Sequence, residues 1–249
     1  MLNQVLIVAQ KEVLDGWRDR RAVISTTLYS LMGPAVVSMV SLAVHDMRDS
    51  EQVLIPMMSV FTLVAAFVGG MNVALDSIAG ERERRSLVPL LTHPVTRLDL
   101  LLGKWLAVAA FSGVGLALNL IGFALLFHRV PSPALVPCMV PLLMLAAASE
   151  IWISTLCRGV KEAHTYLSML VFLPMMVGMF MVFSPLAGHG WWKFLPVAGH
   201  QMLIDAGMRG APADPLATLI LAVATTVLAG LALLAAADRL ELDDVVYGG

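Results

Sequence analysis

The side chains best suited to specific chemistry are concentrated in one segment of the chain, residues 76–105. Five consecutive ionic residues, Glu81 to Arg85, precede an apolar ridge at residues 87–91 that is too short to cross a membrane. An apolar centre with a charged rim is typical of protein–protein contacts. The segment therefore predicts a docking element; the alternative is a solvated loop that only sets membrane topology. The residues assigned to docking are Glu81, Arg82, Glu83, Arg85, Leu87, Leu90, Leu91, Pro94 and Arg97.

The docking segment divides at the pair His93-Pro94, because proline interrupts a helix. We expect one helical piece from Glu81 to Leu91. We expect a second helix to start at Arg97, with Thr96 as its N-cap, and to continue into the next membrane span.

Four polar residues inside the apolar segments are candidates for a translocation path: Glu150, Asn72, Asn119 and Ser154. Glu150 lies about 9 Å from one end of its predicted helix, and a carboxylate at that depth should face protein, water or a cation. The alternatives are a neutralised or paired structural acid at Glu150, and hydrogen bonds between helices at the two asparagines.

No catalytic, cofactor or metal site is expected on this chain. The pair Gly103-Lys104 is not a phosphate-binding loop, because position 98 is Leu rather than Gly and position 105 is Trp rather than Ser or Thr. No other GxxxxGK and no HExxH occurs. His189 and His200 lack nearby acidic or Cys partners, which makes a metal site a weak alternative.

The composition predicts an all-α membrane protein. The 249 residues are 59% hydrophobic and only 14% charged, with a mean hydropathy of +0.83, whereas a soluble protein has about a quarter of its residues charged. The net charge of -2 does not indicate nucleic-acid binding. Six segments are long and apolar enough to span a bilayer: Ile24–Leu42, Val53–Leu75, Leu106–Phe127, Ala134–Leu156, Tyr166–Phe183 and Leu216–Ala237.

The distribution of basic residues predicts the orientation. If the N-terminus is cytoplasmic, twelve Lys and Arg residues fall on the inner side and four on the outer side, as the positive-inside rule requires. Both termini are then cytoplasmic, and a bacterial inner membrane is the expected location. The segment 76–105 lies inside and the segment 184–215 lies outside.

Two segments outside the spans have their own patterns. Residues 1–22 form an amphipathic pattern that predicts an interfacial helix on the inner surface; the alternative is an extension of the first span. Residues 184–215 contain Trp191 and Trp192, which are typical of membrane interfaces. A short helix over Pro196–Met208 is expected to re-enter the outer leaflet.

The docking segment resembles the signature of ATP-binding-cassette exporter permeases of the second type. The matching residues are Glu81, Glu83, Leu90, Leu91, Pro94, Val95, Arg97, Gly103 and Lys104. The stretch Lys11 to Val23 is similar to the opening of that family, particularly its sodium-efflux (NatB-like) branch. One departure is that members of this branch often have a large extracellular domain after the first span, where this chain has only residues 45–52.

This resemblance implies a single permease domain over residues 1–249 that has no ATPase activity of its own. The docking segment would be a coupling helix seated in a separate ATPase subunit that holds ATP and Mg²⁺. Two permease copies, identical or homologous, would pair above two ATPase subunits. The alternatives are a stand-alone secondary transporter or ion channel and a membrane scaffold without transport activity. Sodium, a lipid, a peptide and a drug-like molecule all remain open as cargo.

Overall fold

The computed structural model of the chain describes residues 2–44, 50–86, 96–128, 136–184, 190–212 and 214–240. Every element in these ranges is helical. The helices are α1 (Leu2–Arg18), α2 (Arg20–Val44), α3 (Ser50–Val68), α4 (Met71–Leu75), α5 (Glu81–Glu83), α6 (Arg97–Phe127), α7 (Val136–Leu156), α8 (Val160–Phe183), α9 (Ala198–Met208) and α10 (Pro215–Leu240), with a π-helical turn at Asp76–Gly80 and a 3₁₀ turn at Gly190–Phe194.

Within the described residues, six helical stretches are long and apolar enough to cross a membrane, and each overlaps one predicted span. They are Arg20–Val44, Ser50–Glu83, Arg97–Phe127, Val136–Leu156, Val160–Phe183 and Pro215–Leu240. Several begin or end beyond the apolar segments, because helix formation continues through polar turns that pack against neighbouring helices. The all-α membrane architecture expected from the sequence is confirmed.

The second span differs most from its prediction. The apolar segment ends at Leu75, but the helical stretch continues through the π turn and α5 to Glu83. Glu81 therefore does not begin a new helical piece; it lies near the end of the second span. Residues 87–91 of the expected piece lie outside the described residues. This stretch is the most buried of the six: 67% of the residues in its most apolar part are buried within the protein.

The second and third spans touch through glycines. A Cβ atom at Gly115 of α6 would lie 2.7 Å from Gly69 Cα, so only glycine permits this approach of the two backbones. The helical pattern is interrupted at Gly69 and Gly70, between α3 and α4. Thr26 of α2 donates a hydrogen bond of 2.9 Å to the carbonyl of Gly69, which satisfies that oxygen at the interruption.

The N-terminal helix α1 packs along the first turns of α6. A Cβ atom at Gly103 would lie 2.6 Å from Val8 Cβ, and further along the rings of Trp17 and Phe111 are 5.5 Å apart. Contacts that advance together on both helices mean that α1 runs alongside α6 in the same direction. The helix predicted over residues 1–22 is present, and its position at a membrane interface stays a prediction.

The end of the bundle farther from the first turns of α6 is called here the tryptophan end, and it is closed by the 3₁₀ turn and α9. Trp191 and Trp192 stack with ring centroids 4.1 Å apart. The helix α9 occupies most of the range predicted for a short helix, and its re-entry into a membrane stays a prediction. His200 on α9 is 1% exposed. Burial lowers the pKa of His200 to about 4, an effect that a hydrogen bond with the backbone of Cys138 only partly offsets.

We predict that acid destabilises the tryptophan end through His200. In the unfolded chain the imidazole has a pKa of 6.5, whereas in the folded protein it stays neutral until the pH approaches 4. The contribution of His200 to stability is therefore complete above pH 6.5 and decreases as the pH falls. At pH 5 the loss is about 2 kcal/mol. Melting temperatures in detergent at pH 7.5 and pH 5 test this: His200→Met should reduce the difference, and the control His164→Asn, at an exposed histidine of α8, should not. An unchanged difference in the His200 variant would contradict the prediction.

Candidate functional site

A buried lysine joins three separate parts of the chain at the end of the bundle opposite the tryptophans, called here the Lys104 end. Lys104 of α6 is 1% exposed. Its ammonium donates to Glu12 Oε1 of α1 at 3.0 Å and to Glu81 Oε1 of α5 at 2.8 Å. These three residues are called the ion triad below. Both carboxylates are also buried, at 9% exposure each.

The ion triad is held together by the cost of desolvation. A buried ammonium without a partner would cost several kcal/mol, which two charge-assisted hydrogen bonds offset here. The absence of a Cβ at Gly103 lets α1 approach α6 closely enough for Glu12 to reach Lys104. Any movement of α5 away from α6 separates Glu81 from Lys104 in a poorly solvated site. The triad therefore couples the end of the second span to α1 and α6.

Two further side chains attach the end of the second span to the connection between α7 and α8. Arg82 donates to the carbonyl of Cys157 at 2.9 Å. Glu83 accepts a hydrogen bond of 2.7 Å from the backbone N–H of Val160, the first residue of α8. The preceding Gly159 has no side chain to cap this helix. Glu83 thus supplies the N-cap of α8 from another helix, where a carboxylate is favoured by the helix dipole.

The second span ends in a Schellman motif. Ser86 N–H bonds to the carbonyl of Glu81, and Arg85 N–H bonds to that of Arg82. Arg85 occupies the left-handed position with φ of 56°, where glycine is usual because it has no Cβ. The side chain of Arg84 binds Asp76 through two hydrogen bonds of 2.7 and 3.2 Å. Arg85 is exposed, and the two hydrogen bonds of the motif hold its turn against the end of the second span.

The structure describes only part of the docking segment. Glu81 is buried in the ion triad, whereas the sequence interpretation placed it on the charged rim. The side chains of Glu83 and Arg85 are exposed, and those of Arg82 and Arg97 are half-buried. Four further residues assigned to docking lie outside the described residues: Leu87, Leu90, Leu91 and Pro94.

The helix that follows the docking segment begins as expected. Arg97 is the first residue of α6, and the Thr96 hydroxyl accepts a hydrogen bond from Asp99 N–H at 3.1 Å. Arg97 itself donates to the carbonyl of Leu240 at 2.8 Å, the last residue of α10. A cationic side chain at the carboxyl end of a helix is favoured by the dipole of that helix. The sixth span is therefore also attached to this end of the bundle.

The four polar candidates inside the spans do not converge on one site. Asn119 bonds to Thr62 and to the carbonyl of Ser30, and Asn72 bonds to a serine of α2. Ser154 accepts from a backbone N–H of the π turn at 3.1 Å. Glu150 is completely buried, and neither of its oxygens has a hydrogen-bond partner among the described residues. A role of these residues in translocation stays a prediction.

The sequence interpretation missed the pairing within the ion triad. Glu12 lies within the amphipathic pattern predicted over residues 1–22, and Lys104 lies within the family signature. Their separation of 92 residues hides the contact. The available signal was a lone lysine at the start of an apolar stretch, which requires a carboxylate from another element.

The chain matches the family model described as "ABC-2 family transporter protein" over residues 6–246. It is 37% identical over 149 residues to the ABC transporter permease protein NatB of Bacillus subtilis (strain 168), a region that covers 53% of this chain and 37% of that relative. It is 30% identical over 158 residues to the probable ABC transporter permease protein NosY of Pseudomonas aeruginosa, covering 62% of this chain and 55% of the relative. Another NosY, from Stutzerimonas stutzeri, is 29% identical over 124 residues, or 47% of this chain and 45% of that protein. The matched regions span about half or less of the length of these curated relatives.

We predict that Lys104→Met destabilises the protein by about 3–5 kcal/mol, because the substitution removes the buried cation that both Glu12 and Glu81 contact. The control is Lys11→Met: Lys11 also contacts Glu12, at 3.2 Å, but its side chain is 55% exposed, so the expected loss is at most about 1 kcal/mol. Unfolding in detergent measures both. Adding Glu12→Gln and Glu81→Gln to Lys104→Met should recover part of the stability; equal effects of the two lysine substitutions would contradict the role of the triad.

Proposed function

The chain belongs to the ABC-2 family of transporter proteins, and we propose that it is the membrane subunit of an ATP-driven exporter. In this proposal ATP and Mg²⁺ are bound by a separate ATPase subunit, because the only Gly-Lys pair of the chain lacks the pattern of a phosphate-binding loop. Two permease copies and two ATPase subunits form the transporter. It lies in a bacterial inner membrane with the Lys104 end in the cytoplasm.

The observation that carries this proposal is the fixed, exposed turn at Arg85. Arg85 adopts a left-handed backbone conformation that costs an arginine about 1 kcal/mol relative to glycine. Strained residues of this kind are often retained where the side chain has a function. An arginine on a rigid turn at the basic end of the bundle is suited to bind carboxylates of a partner protein.

The contacts around this turn supply a mechanism. Closure of the ATPase dimer on ATP would displace the docked turn. The ion triad would pass that displacement to α1 and α6, and Glu83 would pass it to α8. Transport requires that the ATP-bound state of the partner favours one conformation of the permease over another, since a ligand shifts an equilibrium only through such a difference in affinity.

The carboxylate of Glu150, which has no hydrogen-bond partner among the described residues, favours one alternative, a transporter driven by an ion gradient. A buried acid without a partner can bind and release a proton or a cation during transport. Transport by the purified chain under an ion gradient, without an ATPase and lost in Glu150→Gln, would support this alternative and exclude the first proposal.

We predict that an ATPase subunit copurifies with this protein and that Arg85→Ala weakens its binding about tenfold or more, as expected for loss of an interfacial arginine contact. Binding of the reconstituted partner in detergent measures the effect. Arg18→Ala removes the same charge from an exposed position at the end of α1 and should have little effect.

Arg85→Gly separates docking from folding. It should raise the stability of the permease by about 1 kcal/mol, because glycine relieves the left-handed strain, and it should still weaken ATPase binding. If Arg85→Gly binds the ATPase as tightly as the native protein does, the side chain is not a contact and the proposed docking site is wrong.

A further inference from the structure

An apolar groove of about 710 Å³ lies on the side of the bundle between α2, α3 and α8. Its central walls are formed by apolar residues in the ranges 56–68 of α3 and 171–182 of α8. Apart from Tyr29 of α2, the polar residues of the lining are Gln52 toward the tryptophan end and His164 and Ser168 toward the Lys104 end. This distribution suits a long apolar chain lying along the bundle.

The groove adjoins a second cavity of about 440 Å³ at the tryptophan end. Pro56 and Val182 line both spaces. The second cavity is polar in part: it is lined by Gln201, Asp205 and Arg209, and the last two form an ion pair at 2.7 Å. The groove is mainly apolar and the adjoining cavity is polar in part, so together they are complementary to an amphiphile with a long apolar chain and a polar head.

Gln201 provides an acceptor for that polar head. Its side-chain amide donates to Ser59 Oγ at 2.8 Å, and Ser59 uses its own hydroxyl proton on the carbonyl of Pro56, at 2.8 Å. Ser59 can therefore only accept from Gln201, which fixes the NH₂ group toward Ser59 and turns the amide oxygen away from it. Gln201 is only 2% exposed, and its amide oxygen has no hydrogen-bond partner among the described residues.

A buried acceptor that receives no hydrogen bond lowers the stability of a protein, so a bound molecule that donates one is favoured at this position. We infer that the groove and the adjoining cavity bind a long-chain amphiphile whose head donates a hydrogen bond to Gln201 Oε1. This inference rests on the proposed transport function and names the class of its cargo: a single-chain or lipid-like molecule with a hydroxyl, amide or protonated amine head. An apolar helix of a second copy could fill the groove, but it would leave the Gln201 oxygen unpaired.

The probe for this inference is a pair of photoactivatable amphiphiles with the same mid-chain diazirine. One is a hexadecyl-dimethylammonium, which has one N–H donor, and the other is the hexadecyl-trimethylammonium, which has the same charge and no donor. Each is titrated against the full chain in lipid nanodiscs, and labelled peptides of α3 and α8 are quantified by mass spectrometry. We expect half-maximal labelling by the donor probe at about tenfold lower concentration, as one charge-assisted hydrogen bond supplies.

Two matched pairs of variants make the result specific. Gln201→Leu should abolish the preference for the donor probe, whereas Ile204→Ala, which loosens the packing of α9 at a residue 1% exposed and leaves Gln201 and Ser59 in place, should retain it. Met175→Trp should weaken labelling by both probes because Met175 lines the groove. The neighbouring Met176→Trp should not, since Met176 is 67% exposed and is not part of the groove lining.

Three results would overturn the inference. Equal labelling by both probes in the native protein would indicate bulk lipid in the groove. Equal effects of Gln201→Leu and Ile204→Ala would mean that Gln201 only stabilises the packing of α9 on α3. Cross-links between α8 helices of two copies, with the probes excluded, would assign the groove to a second copy. These measurements use the permease alone, so their failure does not affect the ATPase-binding test, and a failure of that test does not affect them.

Discussion

A lysine ammonium shielded from water determines the arrangement of one end of this protein. Lys104 is neutralised by carboxylates of two other helices, and Glu12 and Glu81 come from segments far apart in the sequence. The N-terminal helix, the end of the second span and the start of the third span must therefore remain together, or a charge is left buried and unpaired. The cap that Glu83 gives to α8 and the contact of Arg97 with the end of α10 extend this connection to two more helices.

Features of the fold that depend on local sequence could be predicted. Apolar stretches of sufficient length identified all six spans, and Thr96 followed by Arg97 identified the start of α6. The end of the second span could not be predicted, because hydropathy falls after Leu75 while the helix continues to Glu83, supported by partners on α6, α7 and α8. The ion triad and the Glu83 cap depend on contacts across tens of residues, which the periodicity of a single segment does not reveal.

Burial varies systematically among the spans. The second span is the most enclosed. In α2 and α8 only 22% and 17% of the residues in the most apolar stretch are buried within the chain. The densest network of ionic and capping contacts lies at the Lys104 end, and the groove opens along the two uncovered helices. The architecture thus separates a central element, held by polar contacts at its end, from peripheral helices that border the space where an amphiphile could lie.

The contact between Gly69 and Gly115 has a consequence for how the protein responds to its membrane. Two backbones that touch without intervening side chains have little freedom to change their crossing angle, so α3 and α6 form a unit of nearly constant height. A bilayer that is thicker or thinner than this unit must then be matched by tilting of the less buried α2 and α8. Because these helices border the groove, we expect its width to change with lipid chain length.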